Sequence, residues 1–156
     1  MERIWKEWTD HRQDWAARLC SHRRWLHRHP ELSLEERETA RYLAAHLEAA
    51  DIPCRLVEDC GVIAGLTAGD GLPTVAIRAE IDALPIEEQT GLPFASAYPG
   101  KMHACGHDAH NASLIGAARI LGANRDKFSG KVIFTWQPGE EIGYGRGTED
   151  RGFSLR

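Results

Sequence analysis

Two short apolar runs, Thr74-Val75-Ala76-Ile77 and Val132-Ile133-Phe134-Thr135-Trp136, stand on either side of a helical pattern over residues 109–123. Neither run alternates with polar residues, which is the mark of a strand covered on both faces. The pattern between them puts Leu114, Ile115, Ala118 and Leu121 on one face, with Gly122 placed to help end the helix. A strand–helix–strand succession of this kind requires a sheet with helices packed on it. It sets the class as α/β or mixed-sheet.

The preceding residues fit that class. Residues 2–29 carry Ile4, Trp8, Trp15 and Leu19 at helical spacing, widened by Trp5 and Trp25, and Pro30 stops the run. The stripe reads as aromatics packed on a core, or alternatively as a helix that docks a partner. Ser33 and Glu36 have capping-box spacing ahead of a second helix lined by Ala40, Leu43, Ala44 and Leu47, which Asp51-Ile52-Pro53 ends. Strands are expected over 54–58, 62–67 and 74–77. The glycine- and proline-bearing linker 68–73 suggests that the last two form a hairpin. Residues 83–104, with Pro85, Gly91, Pro93, Pro99 and Gly100, read as a long loop, and loops of this length are often functional. Beyond Glu141 the apolar periodicity fades. The expected organisation is therefore a folded unit over 1–141 and an irregular or disordered tail over 142–156.

Composition narrows the function. The chain has 156 residues, 42% hydrophobic and 27% charged, with a formal net charge of −4. It has no basic run for binding phosphate backbones, so nucleic acid is not an expected partner. No apolar stretch approaches the ~18 residues of a membrane span. Glu2, Arg3, Lys6 and Glu7 among tryptophans do not make a signal peptide, and the expected compartment is the cytoplasm. The cysteines, Cys20, Cys54, Cys60 and Cys105, contain no C-x-x-C pair and fit a reducing compartment. Cys20 and Cys54 read as small buried hydrophobes. His11, His22 and His46 read as surface or rim residues, and His27 and His29 have no neighbours at ligand spacing.

Three polar clusters carry chemistry. Cys105 and His107 are two apart around Gly106, with His103, Asp108 and His110 beside them and a helix directly after. An extended or tightly turned segment can aim residues i and i+2 at one ion, and thiolate with imidazole suits zinc and other late first-row divalent ions. The same residues also read as a polar loop whose histidines cap the helix. Glu140-Glu141 follows a strand and Pro138-Gly139. Adjacent carboxylates there can divide the labour of a metal-assisted hydrolase, one on the metal and one moving protons, or form a charged turn. Glu80 and Asp82 stand two apart at another strand end, where Asp82 can orient a metal-binding imidazole.

These residues resemble a known family. His27-Arg28-His29-Pro30-Glu31-Leu32-Ser33, Arg78-Ala79-Glu80-Ile81-Asp82-Ala83-Leu84-Pro85, Met102-His103-Ala104-Cys105-Gly106-His107-Asp108-Ala109-His110 and Trp136-Gln137-Pro138-Gly139-Glu140-Glu141 resemble, in order, motifs of the M20 metallo-amidohydrolases and peptidases. The branch is that of N-acyl-amino-acid, hippurate and auxin-conjugate amidohydrolases, and the resemblance spans residues 18–141. It implies Cys105, His107 and Glu141 as metal ligands, Glu140 as the base that activates water, and Asp82 as a supporting catalytic aspartate. It implies two divalent ions per complete site, manganese or zinc, with nickel or cobalt also used, and a small N-acyl amino acid or peptide-like amide as substrate. The fold implied is part of a phosphorylase/hydrolase-like α/β catalytic domain of zinc-peptidase type, without the inserted dimerisation domain that full members carry. Glu80 stands where an aspartate is usual, and Gly139 where an alanine is usual. Two further histidine ligands of the family have no counterpart here. The function the resemblance implies is metal-dependent hydrolysis of the amide bond of N-acyl amino acids or similar small amides, with a truncated, inactive remnant, or one subunit of a split enzyme completed by a second polypeptide, as the alternatives. Homo-oligomerisation is left open by the resemblance.

Overall fold

A computed structural model describes residues 12–69 and 73–144. Two helices, α1 (Arg12–Arg28) and α2 (Arg37–Glu48), lead into strands β1 (Cys54–Val57), β2 (Gly61–Ala68) and β3 (Thr74–Glu80). Helix α3 (His107–Ala123), a 3-10 turn at Arg125–Lys127, strand β4 (Gly130–Gln137) and a second 3-10 turn at Glu140–Ile142 complete the described chain. Residues 2–11 of the expected first helix, with Ile4, Trp5, Trp8 and His11, lie outside the described residues, as do residues 145–156 of the expected tail.

The sheet order is β1-β2-β4-β3. β1 pairs antiparallel with β2 and β2 antiparallel with β4, whereas β3 and β4 run parallel. The expected β2–β3 hairpin is therefore incorrect: β4 lies between them. A parallel pair cannot be closed by a tight turn and needs a crossover, which the loop 83–104 and α3 provide. The true hairpin is β1–β2. Its turn residues Glu58 and Asp59 both have left-handed φ, 50° and 62°, the backbone that matches strand twist in a two-stranded ribbon.

One face of the sheet makes the core. Val62, Ala64 and Leu66 from β2 and Phe134 and Trp136 from β4 are buried against Ala40, Leu43 and Leu47 of α2 and Leu114, Ile115 and Ala118 of α3. The expected apolar faces of α2 and α3 are those that pack. Each large side chain so buried contributes roughly 1.5–3 kcal/mol. Helix α1 lies on α3, where a Cβ on Gly116 would come 2.5 Å from Leu19 Cδ2, so a larger residue there would force the Leu19 side chain to shift.

Several local expectations need correction. β3 is an edge strand rather than one buried inside the sheet, and Val75 and Ile77 are 49% and 36% exposed. An unbroken apolar run reports what the residues tolerate, not which neighbour lies beside them. Ser33 and Glu36 form no capping box. Helix α2 begins at Arg37, with no side-chain cap from Glu36, and the carboxylate of Glu31 accepts the N–H groups of Glu38 (3.1 Å) and Thr39 (2.7 Å) instead. Helix α3 starts at His107, two residues before the expected start, and ends at the expected Ala123, after which Asn124 donates to the Ile120 carbonyl. Cys20 is exposed, since it falls on the outer side of α1. His22 is buried rather than at a rim, and is paired with Tyr42.

The long loop is pinned at both ends. Leu84 and Met102 exchange backbone hydrogen bonds of 3.0 Å, and Ala83 N–H donates to the Glu31 carbonyl at 2.8 Å. This closure returns the chain to the sheet and delivers residues 103–107 beside the end of β3.

Candidate metal centre

Because β3 and β4 are parallel, their carboxyl ends meet at one edge of the sheet, where open α/β folds bind ligands. Asp82 follows β3 directly, held by the Ile81 N–H to Gln137 carbonyl bond of 3.0 Å. Glu140 and Glu141 follow β4 after Gly139, whose φ is +66°. Gly106, at φ +90°, starts α3 and sets Cys105 and His107 facing those carboxylates.

Ligand atoms of Cys105, His107 and Glu141 lie within 4.8 Å of one another. His107 Nε2 stands 3.9 Å from Glu140 Oε2 and 3.9 Å from Glu141 Oε1. Its other nitrogen is occupied: Nδ1–H donates to the Asp82 carbonyl at 2.9 Å, with Asp82 Oδ1 3.3 Å away. That bond selects the tautomer whose Nε2 lone pair faces the carboxylates. Asp82 Oδ2 also accepts from the Ser33 hydroxyl (2.7 Å) and from the Glu141 N–H (2.9 Å). One buried aspartate thus orients a histidine and a glutamate together. A second group, Glu80, His107 and His110, shares His107, and His110 Nδ1 bonds Glu80 Oε2 at 2.9 Å.

The electrostatics follow from this packing. Burial would lower the pKa of His107, but its bonds to Asp82 and the charge of Glu80 overturn that and raise it. Burial would raise Asp82, but His107, the Glu141 amide and Ser33 outweigh it, and the carboxyl sits below its usual range. Desolvation and the adjacent carboxylates of Glu141, Glu140 and Glu80 push the Cys105 thiol up. His107 and Cys105 have gathered negative neighbours that a cation would neutralise. Glu141 Oε1 is buried without a hydrogen-bond partner, and a buried acceptor left unpaired is costly unless something binds there. The soft thiolate, imidazole and carboxylate together fit a divalent transition ion.

The structure thus brings all five expected residues, Asp82, Cys105, His107, Glu140 and Glu141, to one rim. It does not bring Asp108 there. That carboxylate is buried behind α3, bonded to His27 at 2.9 Å and Arg23 at 3.1 Å. His27 in turn reaches Glu88 of the loop at 3.2 Å. His103 is also buried, and burial lowers its pKa to about 4. Sequence reasoning missed Ser33, Glu36 and Asn111 as supports of the rim. Asn111 donates to the carbonyls of Glu80 and His107, both at 2.7 Å. Its position four residues after His107 on the helix was the available signal.

The fold and donor set are those of a metallo-hydrolase rim, and comparison with known proteins agrees. The family model for peptidase family M20/M25/M40 matches residues 76–151. This chain belongs to the M20 family of metallo-amidohydrolases and peptidases, related to N-acetylcysteine deacetylase and to IAA-amino acid hydrolases. It is 51% identical over 131 residues to N-acetylcysteine deacetylase of Bacillus subtilis, a match covering 83% of this chain and 34% of that protein. It is 42% identical over 135 residues to IAA-amino acid hydrolase ILR1-like 5 of Arabidopsis thaliana, covering 86% of this chain and 31% of that protein. Among solved structures it matches Bacillus subtilis YXEP, a dinuclear metal-binding peptidase from the M20 family. The TM-score is 0.80 at 49% identity, over 83% of this chain and 37% of that one. The described residues therefore have the α/β catalytic-domain fold of the M20 type, and the chain spans about a third of the length of the curated relatives it matches.

Proposed function

We propose that this rim serves the metal-dependent hydrolysis of the amide bond of N-acyl amino acids or similar small amides. The observation that carries the reading is the convergence of Cys105, His107 and Glu141 within 4.8 Å, with the Glu140 carboxylate beside them. A divalent ion there, manganese or zinc, with nickel or cobalt as alternatives, would acidify water and polarise the amide carbonyl. The protein groups do the rest. Cys105, His107 and Glu141 hold the ion, and Asp82 keeps the His107 Nε2 lone pair turned toward it. Glu140, 32% exposed, stands where it can take a proton from water and pass it to the leaving amine. The related deacetylase and auxin-conjugate hydrolases support a small acylated amino acid as the substrate class. The chain spans about a third of those relatives, and the proposal concerns the part of the reaction that this rim carries.

The test is hydrolysis of hippurate and N-acetylcysteine by manganese- or zinc-loaded protein. The expected result is turnover that Glu140→Gln lowers by at least about 100-fold, the scale of a positioned acid–base group, with metal content unchanged. Turnover that survives the substitution would overturn the assignment of Glu140.

A further inference from the structure

Two amides of the turn after β4 are gripped from outside it. Glu141 N–H donates to Asp82 at 2.9 Å, and Gly139 N–H donates to Glu36 Oε1 at 2.8 Å. Glu36 lies just ahead of α2, far from the turn in sequence, and is 0% exposed. Its side chain caps nothing: α2 starts after it and draws its side-chain acceptors from Glu31. Its second oxygen, Oε2, is buried without a partner. A fully buried carboxyl placed here is costly unless it does something for the fold.

We propose that Glu36 is a positioning residue: by accepting the Gly139 N–H it fixes the turn that aims Glu140 and Glu141 at His107. The grip matters because everything between β4 and the two carboxylates is Pro138 and Gly139. Proline donates no hydrogen bond, and Gly139 sits at φ +66°, a conformation it holds no more readily than several others. The Gly139 amide is therefore the first N–H of the turn that can be anchored, and Glu36 anchors it. Asp82 anchors the next but one. The role needs an acceptor of the right length rather than a negative charge. Burial is consistent with this, since it raises the Glu36 carboxyl to about 7, opposed by hydrogen bonds from backbone amides and aided by the charge of Asp82.

The consequence for the metal rests on the function proposed above, so the experiment reads the two separately. Amide hydrogen exchange on the wild-type chain should show the Gly139 N–H strongly protected. An unprotected Gly139 amide would overturn the inference, whatever the site binds. Cobalt titration, followed by the Cys105 thiolate charge-transfer band, should show Glu36→Gln close to wild type and Glu36→Leu weaker by about 10–100-fold, the usual cost of losing a residue that orients a ligand. Equal affinity in Glu36→Leu, or a Gln variant as weak as the Leu variant, would also overturn it. Absence of the thiolate band in wild type would count against the metal site itself, with Gly139 protection in wild type and its loss in Glu36→Leu still deciding the role of Glu36.

Discussion

Around His107 the near neighbours are carboxylates, whereas around His22 they are aromatic rings and guanidinium groups. His107 faces Asp82, Glu80, Glu140 and Glu141, and its pKa is raised. His22 is buried on α1 against Tyr42 and His46, with Arg18 and Arg119 nearby. Burial first, then those charges, lower it to about 4. Both histidines are buried, yet one is held ready to face a cation and the other is kept neutral. The difference extends to the partners. Trp25 stacks on Tyr42 at 3.7 Å and nearly parallel, closing the His22 cluster with rings. The rim around His107 instead leaves Glu141 Oε1 unpaired. A histidine cluster becomes a binding site when its polar atoms are left facing outward, and a structural element when they are consumed within it.

Asp82 offers the strongest test of that contrast. Its carboxylate accepts from the Ser33 hydroxyl and the Glu141 N–H and stands 3.3 Å from His107 Nδ1, so Asp82→Ala leaves two donors without their acceptor and His107 without its counter-charge, while the main-chain carbonyl still accepts from Nδ1. The expected cost is about 3–5 kcal/mol in urea denaturation, as for removing one partner of a buried charged pair. Metal affinity should fall by about 10–100-fold. A variant as stable as wild type would show that the rim is not held together by this carboxylate.

Much of this was legible beforehand, for identifiable reasons. The apolar face of α2, Ala40, Leu43, Ala44 and Leu47, is set by local spacing and packs as expected. The rim residues Cys105, His107, Glu140 and Glu141 sit beside a helix start and a strand end; each cluster alone also reads as a polar loop or a charged turn, and their joint position at element ends is what points to a shared site. Partners distant in sequence were not legible. Ser33 and Glu36 have the spacing of a capping box, but their side chains are taken by Asp82 and Gly139, 49 and 103 residues away. Nothing local reveals such competition. The same holds for β3, whose neighbour in the sheet depends on β4 arriving from the far side of α3.

The His22 cluster predicts an acid limb of stability. Its folded pKa lies below its unfolded value, so the unfolded chain takes up the proton first as pH falls. The contribution is fully present above pH 6.5 and is lost as pH falls from 6.5 toward about 4, amounting to at most about 3 kcal/mol. His107 has the opposite sign: its contribution is present at low pH and is lost as pH rises through its raised pKa. Comparing wild type with His22→Gln cancels His107 and the other groups that do not sense His22, leaving His22 and its neighbour His46. The variant should gain relative to wild type by up to about 3 kcal/mol between pH 7 and pH 4. A stability difference independent of pH would mean that His22 is solvated, and the contrast with His107 would lose one side.

The smallest effect is expected from Tyr42→Phe, and it asks whether the His22 cluster is closed by its rings or by its hydrogen bond. Tyr42 Oη lies 2.6 Å from His22 Nδ1, and burial raises the phenol to about 12. The hydroxyl therefore stays protonated, and in the Nε2–H tautomer of His22 it donates to Nδ1 of the neutral imidazole. Removing it leaves the Trp25 stack in place but orphans Nδ1. Tyr42 is only half-buried, so water can take over part of the lost bond. The expected cost is about 1 kcal/mol, at the low end for an unpaired buried acceptor. It should appear as a lower urea midpoint with an unchanged slope. The imidazole, having lost its donor to a site water can reach, should also titrate closer to 6.5 by NMR. A variant that loses no stability and leaves the His22 titration where it was would show that the rings alone close this cluster.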